Sequence, residues 1–315
     1  MIQNKVSDIL KTSETDVMKV CAVLTVIFQS ILNFMIKMPL NSCQKAEIGI
    51  LYDLVRFSAP VFIFAICFDL AKLKNVKYPK YIYDKFKEIL IPYFFWSTIY
   101  ILTINFSSYK NISDIVQAYI FGTASAHLWY TVMMFQFHLL IIPILLLAKK
   151  IEKNKNISIA VLCISTALYL FFLFIYDKYV FSQPNKYIGY MDRTFIMYSI
   201  FCVLAVIASV NYNAWKEFIY KIRFFIIPLF FAVHIITDNQ LLSSQNIDLK
   251  NATSLKPSMF AYNIVAIFLI FAFALILIKH KSNILLPIKW LSTYAFRAYL
   301  SNVFCLNIII KILGR

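Results

Sequence analysis

Nine long apolar stretches, near 18–36, 48–70, 89–106, 127–148, 157–175, 194–212, 224–240, 258–279 and 290–311, limit what this chain can fold into more than any other feature. Runs of about 18 to 23 such residues match the hydrocarbon thickness of a bilayer. Backbone groups in that setting have no water to bond, so each stretch must satisfy its own amides and carbonyls as a helix. Composition closes off the soluble alternative. Of 315 residues, 61% are hydrophobic and 15% charged, and the mean hydropathy is +0.73, whereas soluble domains are roughly half apolar and about 25% charged. The expected fold is all-α, a polytopic transmembrane helical bundle of about nine spanning helices. A polar N-terminal segment, 1–17, precedes a single membrane domain over 18–315.

The formal charge of +16 is best read as an orientation signal, because Lys and Arg near helix ends are retained on the cytoplasmic face. With a cytoplasmic N-terminus the inner loops carry Lys72, Lys74, Lys77, Lys80, Lys85 and Lys87, then Lys149, Lys150, Lys153 and Lys155, then Lys216, Lys221 and Arg223, then Lys279, Lys281 and Lys289. The outer loops carry roughly half as many. The lipid bilayer of the cell membrane is thus the expected partner, and nucleic acid is not. Cys21, Cys67, Cys163, Cys202 and Cys305 lie in apolar runs, which implies neither a disulfide framework nor a metal-ligand spacing. The first apolar run is too long for a cleaved leader and is expected to stay in the protein. Segment 112–125 is too short to span. The spacing of Ile112, Ile115, Val116, Tyr119 and Ile120 suits a helix lying on the outer surface, with a re-entrant turn as the other reading.

An ionisable group inside a bilayer costs about 2.5 to 3.5 kcal/mol and asks for a partner or a task. Asp53 and Arg56, three residues apart, share a helix face and can pair; a structural pair and a contact to an anionic or carbonyl-bearing substrate are both open readings. His127-Leu128-Trp129-Tyr130 opens the fourth stretch, and His138 follows three helical turns later, about 16 Å along the axis. Two imidazoles on one wall suit a cavity, although Trp129 and Tyr130 at an interface are also ordinary membrane anchors. His127 near the outer edge suits proton transfer near neutral pH. His234 reads as an interhelical hydrogen bonder. Gln29 and Asn302 read first as packing amides, since amides hydrogen-bond between helices and accept no proton at physiological pH.

Four segments carry a family resemblance: Arg56 to Ile63 (RFSAPVFI), Lys85 to Tyr93 (KFKEILIPY), His127 to Tyr130 (HLWY) and Ser292 to Leu300 (STYAFRAYL). In this order and spacing the chain resembles the acyltransferase-3 family of integral-membrane O-acyltransferases, most closely the intercellular-adhesion C-type branch associated with exported poly-N-acetylglucosamine. The resemblance implies an acyltransferase-3-like membrane domain over 18–315. It also implies transfer of an acyl group from acyl-CoA on the cytoplasmic side to a hydroxyl of a glycan or lipid-linked glycan. Lys85 and Lys87 are then expected at the phosphates of the CoA donor, while the positive-inside rule accounts for the same lysines without a donor. Gln29, Asp53, Arg56, Trp129, Tyr130, His138 and Asn302 are the expected substrate-binding residues, and no metal is expected.

Departures from the pattern matter as much. Where the family has an Arg, ten residues and a His taken to be catalytic, this chain has Met18 and Gln29. Where it often has His-Pro after the closing Tyr-Leu, this chain has Ser301-Asn302. Ten helices are usual, against about nine expected here. An amide in place of the base removes about 10² to 10⁴ from proton transfer. His127 is the expected substitute base. The alternative is a non-catalytic membrane subunit in polysaccharide export or assembly, working with glycan synthase subunits.

Overall fold

The computed structural model describes residues 12–104, 109–181, 190–242, 249 and 255–313. Most of the N-terminal segment expected over 1–17 lies outside the described residues. Those described are helical and free of strands, as the bilayer argument requires. Among the described residues thirteen α-helices follow in chain order: α1 (Glu14–Met35), α2 (Ser42–Leu54), α3 (Ser58–Leu70), α4 (Tyr78–Lys85), α5 (Ile91–Thr103), α6 (Ile112–Phe121) and α7 (Trp129–Leu139). After them come α8 (Ile141–Lys153), α9 (Lys155–Phe181), α10 (Ser199–Val210), α11 (Tyr212–Leu242), α12 (Pro257–Lys279) and α13 (Leu285–Leu313).

Among the described residues six helical segments are long and apolar enough to cross a membrane: α1, α2 with α3, Asn156–Tyr179 of α9, α11, α12 and α13. A seventh crossing arises if α7 and α8, bent by 57° at Leu140, count as one broken span. Each of the nine expected stretches thus holds a helix, but α5 and α10, of 13 and 12 residues, are too short to qualify. Phe224, Phe225, Leu168 and Phe171 are all more than 60% exposed. Water would not tolerate so many outward aromatic and aliphatic side chains, whereas lipid would. The expected surface helix is α6, capped by Asn111 with Asp114 and ended by Gly122 in the left-handed region, φ +65. A Cβ at Gly122 would lie 2.4 Å from the Trp129 Cα, so only glycine fits this approach.

The chain divides into two compact units, Met1–Asp69 with Asn211–Phe296 and Leu70–Val210 with Arg297–Arg315. The first packs α1, α2, α3, α11, α12 and the first three turns of α13. Its core holds Phe64, Phe68, Trp215 and Phe271 in edge and stacked contacts of 5.8 to 6.2 Å. At one end of this unit Asp16 accepts hydrogen bonds from Lys289 Nζ and Ser292 Oγ, each at 2.9 Å, Lys19 pairs with Asp69 at 2.6 Å, and the Tyr212 hydroxyl donates to Glu14. These bonds fasten the start of α1 to α3, α11 and α13. The second unit holds α4 to α10 and the rest of α13, around Tyr93, Tyr100, Phe137, Tyr198 and Phe201, all less than 3% exposed.

Candidate functional site

The second apolar stretch contains Ser58, Ala59 and Pro60, and it breaks between α2 and α3 at Val55 to Phe57. Proline disfavours a helical residue just before it and donates no amide, so a break on its N-terminal side is its ordinary consequence. Carbonyls released in a bilayer must find other donors. The Tyr262 hydroxyl of α12 donates to Leu54 O at 2.8 Å, and Gln29 Nε2 of α1 donates to Val55 O, with Ser58 Oγ at 3.2 Å. Gln29 therefore holds a broken helix together.

The break turns Asp53 and Arg56 into the core of the first unit. Arg56 Nη1 lies 2.6 Å from Asp53 Oδ1, and the two residues are 7% and 0% exposed. Helix α11 adds three groups on one face. His234 Nε2 lies 3.2 Å from Asp238 Oδ2, four residues on. His234 Nδ1 stands 3.4 Å from Asp53 Oδ2 without the alignment of a hydrogen bond. Thr237 Oγ1 donates to Asp53 Oδ2. Phe230 and Tyr262 wall the imidazole, ring centres 6.3 and 6.0 Å away.

This arrangement has a definite chemistry. Both ring nitrogens face carboxylates, Nε2 the nearer, and a neutral ring with its proton on Nε2 keeps the Nδ1 lone pair on the side of Asp53 and Arg56. Two carboxylates against one guanidinium leave one negative charge, so a proton taken up by His234 brings the four groups to neutrality. A base oriented by a third group through its far nitrogen is the logic of activated nucleophiles generally. Asp53, His234 and Asp238 also bring ligand atoms within 4.8 Å of one another, the geometry of a divalent cation site. Both Asp53 oxygens, however, already accept bonds, from Arg56 and from Thr237. A guanidinium 2.6 Å from the would-be ligand already supplies the positive charge a metal would bring.

The remaining expected residues lie in the second unit. His127, just before α7 and 8% exposed, has Ser125 Oγ 3.1 Å from Nδ1 and Leu300 O 3.4 Å from Nε2. A carbonyl only accepts, so Nε2 is the protonated nitrogen and Nδ1 accepts from the serine. Tyr100 and Tyr299 close edge-on over the ring at 5.6 and 5.1 Å, and the Tyr299 hydroxyl donates to His127 O. Tyr130 packs on Tyr299, Trp129 on Tyr198, and Asn302 is buried in α13. His138 Nδ1 lies 2.7 Å from the Tyr81 hydroxyl of α4, at the other end of α7 from His127. Lys85 pairs with Glu88 at 2.5 Å, and Lys87 Nζ sits 4.2 Å over the Tyr83 ring.

The sequence pairs Asp53 with Arg56 and names Gln29 separately among the expected substrate-binding residues; it does not single out Asp238, Thr237 or Tyr262, and it gives His234 only the part of an interhelical hydrogen bonder. One signal was present: an imidazole and a carboxylate four residues apart in an apolar helix cost too much to be accidental. No curated protein and no solved structure matches the chain. The model of the acyltransferase domain family matches residues 13–315. That match covers nearly the whole sequence and its several spanning helices, and the chain therefore belongs to this family of membrane acyltransferases.

Proposed function

We propose that the protein is a cell-membrane O-acyltransferase in which His234 serves as the general base in place of the imidazole that Gln29 replaces. It moves an acyl group from acyl-CoA on the cytoplasmic side to a hydroxyl of a cell-surface or exopolysaccharide glycan. The observation that carries this reading is the buried set of Asp53, Arg56, His234 and Asp238, built beside the break that Gln29 holds. An acceptor hydroxyl at Nδ1 gives its proton to the imidazole while its oxygen attacks the acyl carbonyl; the carbon–sulfur bond to CoA then breaks, and the leaving sulfur takes the proton back as free CoA departs. Asp238 holds the ring in its tautomer, and Arg56 stands beside the developing negative charge. Lys85 and Lys87 meet the phosphates of the donor as point charges.

A second reading, a non-catalytic subunit for glycan export, is favoured by Gln29 alone. Purified protein in nanodiscs, given radiolabelled acetyl-CoA and an N-acetylglucosamine oligomer, is expected to label the oligomer. No transfer from any acyl-CoA, under conditions where a family member with its imidazole works, would sink the enzymatic reading. In cells, a deletion strain that loses surface glycan while the remainder keeps normal acylation would favour export.

A further inference from the structure

The His234 ring stands between two carboxylates, with Nε2 toward Asp238 and Nδ1 toward Asp53. Which nitrogen holds the proton of the neutral ring decides whether the Arg56 side is offered a lone pair. The two carboxylates are unequal competitors for that proton. Asp53 Oδ1 already accepts from Arg56 Nη1 at 2.6 Å, and Asp53 Oδ2, the oxygen facing Nδ1, accepts from the Thr237 hydroxyl. Nδ1 lies 3.4 Å from that oxygen and out of line with it, whereas Nε2 lies 3.2 Å from Asp238 Oδ2. Thr237 reaches Oδ2 because it follows His234 by three residues in α11, so ring and hydroxyl meet Asp53 from one helix face. The hydroxyl has a second neighbour, His234 O at 2.9 Å, but only one proton. An ionised carboxylate takes that proton in preference to a neutral backbone carbonyl. Asp53, His234 and Thr237 are all buried, so bulk water does not level the difference.

We propose that Thr237 is the positioning residue that selects the tautomer of His234. By filling the Asp53 oxygen that would otherwise accept from Nδ1, it keeps the ring proton on Nε2 against Asp238 and leaves the Nδ1 lone pair for the acceptor hydroxyl. The inference rests on the acyltransferase reading of this site and adds the group that holds its base in the working form. Without the hydroxyl, Oδ2 is an unfilled acceptor on a buried carboxylate, and the ring proton moves to Nδ1 to meet it. The remaining lone pair then faces Asp238, turned away from the Arg56 guanidinium.

The test reads the ring directly. The full chain, isotope-labelled at the side chains of its four histidines, is reconstituted in phosphatidylcholine bilayers and followed by solid-state nitrogen NMR, with His234→Gln assigning the His234 signals. At alkaline pH the wild type is expected to show a protonated Nε2 and an unprotonated Nδ1. Thr237→Val, close in shape but without the hydroxyl, is expected to carry the proton on Nδ1 in most molecules, and Thr237→Ser to restore the wild-type pattern. Thr237→Ala removes the same hydroxyl with less bulk and is expected to behave as Thr237→Val does. In the transfer assay Thr237→Val is expected to lose roughly tenfold in kcat with an unchanged KM for acetyl-CoA, and Thr237→Ser to recover most of it. An unshifted tautomer in Thr237→Val and Thr237→Ala, or a wild-type ring protonated on Nδ1 or on both nitrogens throughout the alkaline range, overturns the assignment. The tautomer is read without turnover. An unshifted tautomer beside normal transfer therefore leaves the acyltransferase reading standing, and a shifted one in a protein that transfers nothing sinks that reading alone.

Discussion

Two buried histidines, His234 in the first unit and His127 in the second, are 6% and 8% exposed and each is flanked by two aromatic rings. Their partners differ. His127 spends both nitrogens on neutral groups, a serine hydroxyl and a backbone carbonyl, and its ring is clasped by Tyr100 and Tyr299. His234 stands between two carboxylates and beside a guanidinium, with one nitrogen lacking a directed bond. A proton added to His127 would be an uncompensated charge among rings, and a proton added to His234 would complete a neutral set. Burial and residue type alone therefore do not mark a base. The charge and direction of the neighbouring groups do.

That contrast breaks most visibly if the carboxylate partners prove dispensable. Removing Asp53 strands the Arg56 guanidinium in an apolar interior, so Asp53→Ala is expected to cost about 3 to 5 kcal/mol in chemical unfolding from mixed micelles. The double variant Asp53→Ala with Arg56→Ala is expected to cost less than the sum of the singles, because the stranded charge goes too. Asp238→Asn keeps the volume but loses the charge that orients His234. Transfer is expected to fall roughly a hundredfold while the unfolding midpoint barely moves, and unchanged kcat would show that the pairing is only structural. In the other unit, Tyr299→Phe removes the bond to His127 O and is expected to cost about 1 kcal/mol of stability with no matching loss of transfer. Smallest is the effect of Gln29→His. With a base already at His234, transfer assayed with labelled acetyl-CoA is expected to change by less than about threefold, and a gain of a hundredfold would place the lost catalytic position at Gln29 instead.

Much of this was legible in the residues, for physical reasons that can be named. Bilayer thickness and backbone hydrogen bonding make long apolar runs into helices, so all nine stretches could be located in advance. What length alone missed is that the α-helices of two of these stretches, α5 and α10, run for only 13 and 12 residues. The expected shared helix face is not there, since Arg56 stands in the break after α2 and folds back on Asp53, but the Asp53–Arg56 pair was legible because three residues is a local distance. Its third partner was not, since His234 lies 181 positions away and only the packing of α11 against α2 brings it close. The break at Val55 to Phe57 lay in between: Pro60 marked it, and nothing in the pattern said which side chains would take up the freed carbonyls.

The most direct measurement sets the two histidines against each other in one assay. Wild type, His234→Ala and His127→Ala, each in the same nanodiscs with labelled acetyl-CoA and an N-acetylglucosamine oligomer, are compared by initial transfer rate. The account predicts that His234→Ala loses about 10² to 10⁴ of the wild-type rate and that His127→Ala stays within about tenfold of it. Loss on removing His127 with near-normal transfer after removing His234 would contradict it.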